Sequence, residues 1–377
     1  MIFHVVRPGD TVYKLSKIYC VKPLEIIKDN GLINPNELII GQVLIIDKEK
    51  NENKESINVF GYAYPNINDN ALASALPYLT ALYNFSYTIN SDGSLSNLDD
   101  EYLIKSAVNF DTVPIMVITN LDENDEFNSE KLSNILNNEE LQDIVIQNIL
   151  NVVKEKGYGG VDVDFEYIYP EDEEEYENFL NKLATVLRSE GYILTAALAP
   201  KESSEQKGIL YEAHDYATVG DIVDNVLLMT YEWGYIAGEP MAVAPIDKIE
   251  KVLDYAITQI ENEKIILGIP NYGYDWNIPF KPETRAKVIS NTEAIEIAKK
   301  YGAEIEFDEK AQSPYFRYYD ENEDQHEVWF EDARSINSKL ELVDKYDLGG
   351  VFYWNIMNPF PQNWTVLENT YNTKRDI

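Results

Sequence analysis

Cysteine is almost absent: the 377 residues hold one, Cys20, so no disulfide can form within the chain. Histidine is nearly as scarce. His4, His214 and His326 lie far apart, without the spacing of metal ligands, so no metal site is expected. No phosphate-cradling glycine loop and no serine nucleophile elbow occurs, and no cofactor is expected. No apolar run reaches the roughly 18 residues that a membrane helix needs, so no membrane span is expected. The amino-terminal MIFHVVRPGD lacks a basic n-region and an apolar h-region, which predicts cytoplasmic synthesis without a signal peptide. Basic residues are few, 31 against 66 acidic ones, for a net charge of −35. Such a chain repels a phosphate backbone, which argues against nucleic acid as a partner.

What is present describes a folded chain, 45% hydrophobic and 26% charged. The charge is unevenly spread. Residues 1–48 hold six basic and five acidic side chains, so nearly the whole negative charge falls on the remainder. The join is Lys48-Glu-Lys-Asn-Glu-Asn-Lys-Glu-Ser56, charged and without a large apolar residue, which predicts a solvated linker over 48–56. Before it, 3–6 reads as a strand, and Asp10 or Thr11 caps a helix with Val12, Leu15, Ile18 and Tyr19 at helical spacing. A second helix begins near Pro23 with Leu24, Ile26 and Ile27, and 42–46 forms a closing strand. This β-α-α-β unit, with VVRPGDTVYKLSKIY, Asn30, Ile33-Asn34 and LIIGQVLII, resembles a LysM module over about residues 2–47. The resemblance implies a domain at 1–47 that binds N-acetylglucosamine glycans such as peptidoglycan or chitin.

Beyond the linker, strand-like runs at 57–64, 79–88, 113–119, 160–167, 193–198, 225–231, 265–272 and 350–354 alternate with amphipathic stretches such as 144–153 and 176–187. Eight strands alternating with helices predict an α/β fold, a (β/α)8 barrel over 57–377. Residues from about 277 to 330 are in excess of the barrel and predict a small α+β insertion. Asn90-x-Asp92-Gly93 and Asp122-x-Asn124-x-Glu126 carry part of a calcium-loop pattern, but neither is complete.

The stretch Gly159-Gly-Val-Asp-Val-Asp-Phe-Glu166 alternates three acids with apolar residues. Residues i, i+2 and i+4 of a strand share a face. Asp162, Asp164 and Glu166 therefore point into the barrel, with Glu166 nearest the carboxyl end, where barrel active sites are built. Carboxylates crowded in a poorly hydrated interior share protons, which raises the pKa of at least one. A carboxylic acid still protonated near neutral pH is what general acid catalysis needs. The bland alternative is an exposed edge strand with ordinary surface acids.

GGVDVDFEY also resembles the D-G-x-D-x-D-x-E motif of glycoside hydrolase family 18, with Gly159 in place of the first acid. Met229-Thr-Tyr231-Glu232 falls on that family's M-x-Y-D, with glutamate for aspartate, and Trp354 falls on the tryptophan that ends strand eight. The resemblance implies substrate-assisted retaining hydrolysis, an exception to the two-carboxylate scheme. The substrate's own acetamido oxygen attacks the anomeric carbon. Glu166 is the acid and base, Asp164 holds the acetamido N–H, Asp162 tunes Asp164, and Tyr231 bonds the acetamido carbonyl. Trp354, Glu232, Met229, Trp233, Asn271 and Tyr62 are the expected substrate contacts.

Met229-Thr-Tyr-Glu-Trp-Gly-Tyr235 and Pro240-Met-Ala-Val-Ala-Pro245, together with the LysM pattern, resemble the spore-germination branch of that family, the cortical fragment-lytic N-acetylglucosaminidases. That resemblance implies a spore-associated enzyme that cleaves cortex glycan after N-acetylglucosamine. Members of the branch often carry two LysM modules, and one is legible here. The rival readings are a lectin that has lost its chemistry, a coat protein anchored by LysM, and a chitinase.

Overall fold

The computed structural model describes residues 1–46 and 53–375; of the linker expected at 48–56, positions 48–52 lie outside the described residues. In the amino-terminal unit, β1 (Ile2–Val5) and β2 (Val43–Ile46) pair antiparallel, Ile2 opposite Ile46 and Val5 opposite Val43. Two helices, Val12–Tyr19 and Pro23–Asp29, lie between them. Thr11 caps the first: its Oγ1 accepts from Lys14 N at 3.1 Å, satisfying a donor that has no partner within the helix. Val12, Leu15 and Ile26 are buried with Val6, Leu44 and Ile46. Ile18 and Leu24, expected in that core, are instead 65% and 72% exposed. The buried face of this helix is centred on Val12, Leu15 and Ser16, and Ile18, six residues after Val12, lies about 120° round the helix from it, towards solvent.

The rest is a closed barrel of eight parallel strands: β3 (Ser56–Ala63), β4 (Ala81–Thr88), β5 (Val113–Thr119), β6 (Gly160–Asp164), β7 (Ile193–Leu198), β8 (Asn225–Leu228), β9 (Ile265–Pro270) and, after an excursion, the last strand Gly350–Trp354. Each pairs with its sequence neighbour, and the last strand closes on β3, Val351 opposite Val59. Both faces of each strand are covered, so apolar residues run along them continuously. Outward residues such as Val161, Val163, Met116 and Ile118 meet the helices. Inward ones, Phe60, Tyr83, Ile115, Val117, Leu227 and Phe352, fill the barrel. The helix Glu173–Ser189 shows how the shell is patterned: Tyr176, Phe179, Leu180, Leu183, Ala184 and Leu187 are buried at helical spacing, and three glutamates occupy its first turn.

The excursion between β9 and the last barrel strand is a five-stranded antiparallel sheet: β10 (Gly273–Ile278), β11 (Lys287–Ile289), β12 (Glu306–Asp308), β13 (Ser313–Tyr319) and β14 (Gln325–Trp329), with the helix Asn291–Tyr301. It starts at Gly273, slightly before the expected 277, because β9 ends at Pro270. The final strand is β15 (Gly350–Trp354).

Several barrel strands are shorter at their carboxyl ends than the sequence predicts: β6 stops at Asp164 and β8 at Leu228. Just beyond, Tyr167 and Glu232 adopt positive φ, 55° and 68°, so the chain has already turned off the ladder. Those turns carry the residues of the site.

Candidate active site

β6 lies between β5 and β7, with Val117 opposite Asp162, Thr119 opposite Asp164 and Asp162 opposite Thr195. Pleat alternation sends Asp162 and Asp164 inward while Val161 and Val163 face the helices. Asp162 is fully buried, and both its oxygens accept short hydrogen bonds, from Tyr62 Oη and Thr195 Oγ1, each at 2.6 Å. Burial pushes its pKa up to about 6 against the opposing effect of the two hydroxyl donors. Both Asp162 oxygens are thus engaged by hydroxyls. Asp164 is 5% exposed and its Oδ1 has no partner. Burial, then the charges of Glu166 and Asp162, hold its pKa well above the usual carboxylate range.

Gly159 stands where the related motif has its first acid. A Cβ there would meet Val113 Cγ1 at 2.3 Å, so a side chain at this position requires Val113 to shift.

Glu166 lies two residues past the strand, held through its backbone. Asn120, just beyond β5, donates from Nδ2 to Glu166 O at 2.9 Å and accepts from Glu166 N at Oδ1, 3.1 Å. His214 holds the preceding peptide. Its Nδ1 accepts from Ala199 N at 3.0 Å, so Nε2 carries the hydrogen and donates to Phe165 O at 3.1 Å. Burial drives the His214 pKa down to about 4, so the ring is neutral. Burial pushes the Glu166 carboxyl up to about 7, with the charge of Glu232 adding to it. Glu166 therefore keeps its proton to near neutrality, as a general acid must.

These acids open on a cavity of about 710 Å³, lined among others by Tyr64, Phe85, Asp125, Phe127, Asp164, Glu166, Met229, Tyr231, Glu232, Tyr274 and Trp354. Trp354 ends β15 and is packed edge-on by Tyr62, Tyr64 and Phe85, at 5.4, 6.1 and 4.9 Å between ring centroids. Such edge-to-face packing fixes the orientation of the indole at the cavity wall. Tyr231 has room because Gly268 lies beside it; a Cβ at Gly268 would come within 2.9 Å of the Tyr231 ring. Glu232 is exposed as a residue, but its carboxylate accepts hydrogen bonds from Tyr272 Oη and from Tyr274 Oη, the latter at 2.8 Å.

Of the residues expected from sequence, Asp164, Glu166, Tyr231, Glu232, Met229, Trp354 and Tyr62 border one cavity. Three of the expected residues are placed differently from the others. Tyr62 is 2% exposed and its hydroxyl is committed to Asp162, so it supports an acid instead of offering that hydroxyl to substrate. Trp233 packs against the barrel's outer core and does not line the cavity. Asn271 is buried, and its Nδ2 donates to Asn355 O and Asn358 O, both at 2.9 Å, so it braces the turn after Trp354. Sequence reasoning missed Asn120, Thr195, His214, Asp125 and Tyr274. Asn120 had one signal, its place directly after a strand end; His214 had none, since its partners are backbone groups distant in sequence.

Among the described residues, no group of three or more His, Cys, Asp or Glu is placed to hold a metal ion, and no helix is long and apolar enough to cross a membrane. The partial calcium patterns are side-chain-capped turns: Asp92 Oδ1 accepts from Ser94 N and Asp122 Oδ1 from Asn124 N.

Residues 122–358 match the family model for glycosyl hydrolases family 18, and residues 4–47 match the LysM domain. The chain is 42% identical, over an alignment of 425 positions, to a cortical fragment-lytic enzyme of Bacillus anthracis, covering 98% of each protein. A protein of the same description from Bacillus subtilis is 38% identical over 99% of this chain and 98% of that protein. The crystal structure of the spore cortex-lytic enzyme SleL of Bacillus megaterium superposes with a TM-score of 0.95 at 35% identity, covering 100% of this chain and 99% of that one. With a closed barrel, a LysM domain at its amino terminus and its acids at the mouth of one strand, the chain is a glycan hydrolase that belongs to glycosyl hydrolases family 18.

Proposed function

We propose that this protein is a retaining N-acetylglucosaminidase that cleaves β-1,4 bonds after N-acetylglucosamine in spore cortex peptidoglycan fragments, acting at the spore during germination. One observation carries the reading: Asp164, buried beside the acid Glu166, keeps one oxygen without a partner at a sugar-sized cavity. Buried polar atoms are nearly always satisfied, so an unpaired one at a cavity marks where a ligand donor belongs. The N–H of a substrate 2-acetamido group is such a donor. With that group held, its carbonyl oxygen reaches the anomeric carbon and the glycosidic bond breaks. Glu166 gives its proton to the leaving oxygen, then takes one from the water that opens the oxazolinium ion. Asp164 balances the positive charge of that ion, and Tyr231 orients the acetamido carbonyl. Met229, Glu232 and Trp354 border the remainder of the sugar site.

The sugar on the non-reducing side of the broken bond must carry a free acetamido group. N-acetylglucosamine has one; a muramic δ-lactam does not, because its amide is closed into a ring. The LysM domain adds a second grip on the same glycan. The names of the full-length relatives support the cortex as substrate and the spore as location. The test is mass spectrometry of products from isolated cortex fragments. New reducing ends bearing N-acetylglucosamine, absent with Glu166→Gln, are expected; reducing muramic ends, or equal products from both proteins, would overturn the reading.

A further inference from the structure

The LysM module is docked on the barrel as well as joined to it by chain. Glu37 and Lys299 pair at 2.6 Å, Ile305 N donates to Ile40 O at 3.0 Å, and Thr365 Oγ1 donates to Asp29 O at 2.8 Å. The centre of the contact is Gln362, in the first turn of the helix Pro361–Thr370 and 9% exposed. Its Nε2 donates to Asn30 Oδ1 and to Val43 O of the LysM module, both at 2.9 Å. Its Oε1 accepts from Ala333 N at 3.2 Å, on the barrel side.

From Ala333 the polar chain continues inward. Two residues earlier, Glu331 N donates to Asn291 Oδ1 at 2.9 Å, and Asn291 Nδ2 lies 3.4 Å from Asn271 Oδ1. Asn271 grips the turn after the last strand: its Nδ2 donates to Asn355 O and Asn358 O, and its backbone N–H to Trp354 O at 3.0 Å. Gln362, Ala333, Glu331, Asn291 and Asn271 are all buried. In a buried seam an amide that satisfies both its donor and its acceptor fixes two neighbours at once. The route begins at Asn30, which closes the LysM fold by bonding both Ile45 N and Ile45 O, and ends at Trp354, which lines the catalytic cavity.

We propose that Gln362, Asn291 and Asn271 are positioning residues through which the docked LysM module holds the Trp354–Asn358 turn. The module then contributes to sugar binding in the cleft, separately from any glycan it grips itself. This rests on reading the Trp354 cavity as the sugar site. Trp354 meets the sugar before any bond breaks, so disturbing it raises KM more than it lowers kcat.

The test uses the full chain and 4-nitrophenyl N,N′-diacetylchitobioside, a probe sized for the cleft alone. KM and kcat are measured below the melting transition, and the dissociation constant of chitotriose by calorimetry in the Glu166→Gln background. Gln362→Met keeps the volume and removes the amide; KM and the dissociation constant should rise about tenfold, with kcat changed less. Gln362→Glu should bind best at acidic pH, where its protonated carboxyl still donates to one of the two acceptors Asn30 Oδ1 and Val43 O, and should weaken relative to the Gln362 parent as the pH rises and a carboxylate comes to face both. Glu37→Ala, which cuts the surface ion pair of the same interface, should change neither constant. Values within twofold of the wild type for Gln362→Met, or a pH-independent Gln362→Glu, would overturn the inference. If Gln362→Met does not fold, the pH profile of Gln362→Glu decides alone. If the Glu166→Gln protein with Gln362 intact binds no chitotriose in the cleft, the reading of the cavity fails and this inference with it.

Discussion

Glu166 does its work because it is expensive to ionise where it sits. Its carboxyl is pushed up to about 7 from an ordinary 4.5, first by burial and then by the charge of Glu232. Between those two values the native state holds a proton that the unfolded chain releases, so this group's contribution to stability declines as the pH rises through that window. Glutamine escapes the loss. Glu166→Gln should therefore melt higher than the wild type at pH 8, with the difference closing as the pH falls to 4; calorimetry across that range checks it, and a difference that widens on acidification contradicts it. Burial raises Asp162 too, to about 6, and the hydrogen bonds from Thr195 and Tyr62 oppose that rise. Tyr62→Phe leaves Asp162 Oδ2 without its donor, which should cost about 1–3 kcal/mol in urea unfolding and lower kcat. Unchanged stability would mean that the Tyr62 hydroxyl carries none of this load.

At the scale of elements, β6 combines two demands: Val161 and Val163 seal the shell while Asp162 and Asp164 point inward. Its start is as constrained as its end. Gly159→Asp restores the acid that the family motif has at this position, but the Cβ meets Val113 Cγ1 at 2.3 Å. The substitution should destabilise by about 1–3 kcal/mol, the usual range for overpacking. Adding Val113→Ala should recover part of that loss, measured by denaturant midpoint. The eight strands were legible because strands covered on both faces read as continuous apolar runs. Their carboxyl ends were not, because the residues after Asp164 and Leu228 obey the site and turn off the ladder. The three acids and Tyr231 were legible from local spacing. Asn120 and His214 were not: they hold Glu166 and Phe165 across 46 and 49 residues of sequence, through backbone atoms that carry no residue signature.

At the scale of the molecule, the uneven charge and the linker marked two chemically different pieces, and the LysM module lies against the insertion and the last helix. That contact was illegible because its central bond, Gln362 to Asn30, joins two common amides 332 residues apart. The net charge of −35 falls almost wholly on the barrel, and Asp125, Asp164, Glu166 and Glu232 border its cavity. Anionic peptide-bearing glycan is repelled by such a field, and salt screens it. The kcat/KM on peptide-bearing cortex fragments should therefore rise from low to physiological ionic strength, while that on a neutral chito-oligosaccharide stays flat. A parallel response of both substrates would remove charge from the account.

The central claim is that the substrate's acetamido group, and no side chain, attacks the anomeric carbon while Glu166 serves as acid and base. Proton NMR of the first minutes of hydrolysis of a chito-oligosaccharide tests it most directly. Retention by this route predicts that the β-anomer of the new reducing end appears first and mutarotates afterwards. Prompt appearance of the α-anomer would mean direct attack by water and would contradict the mechanism built on Asp164, Glu166 and Tyr231.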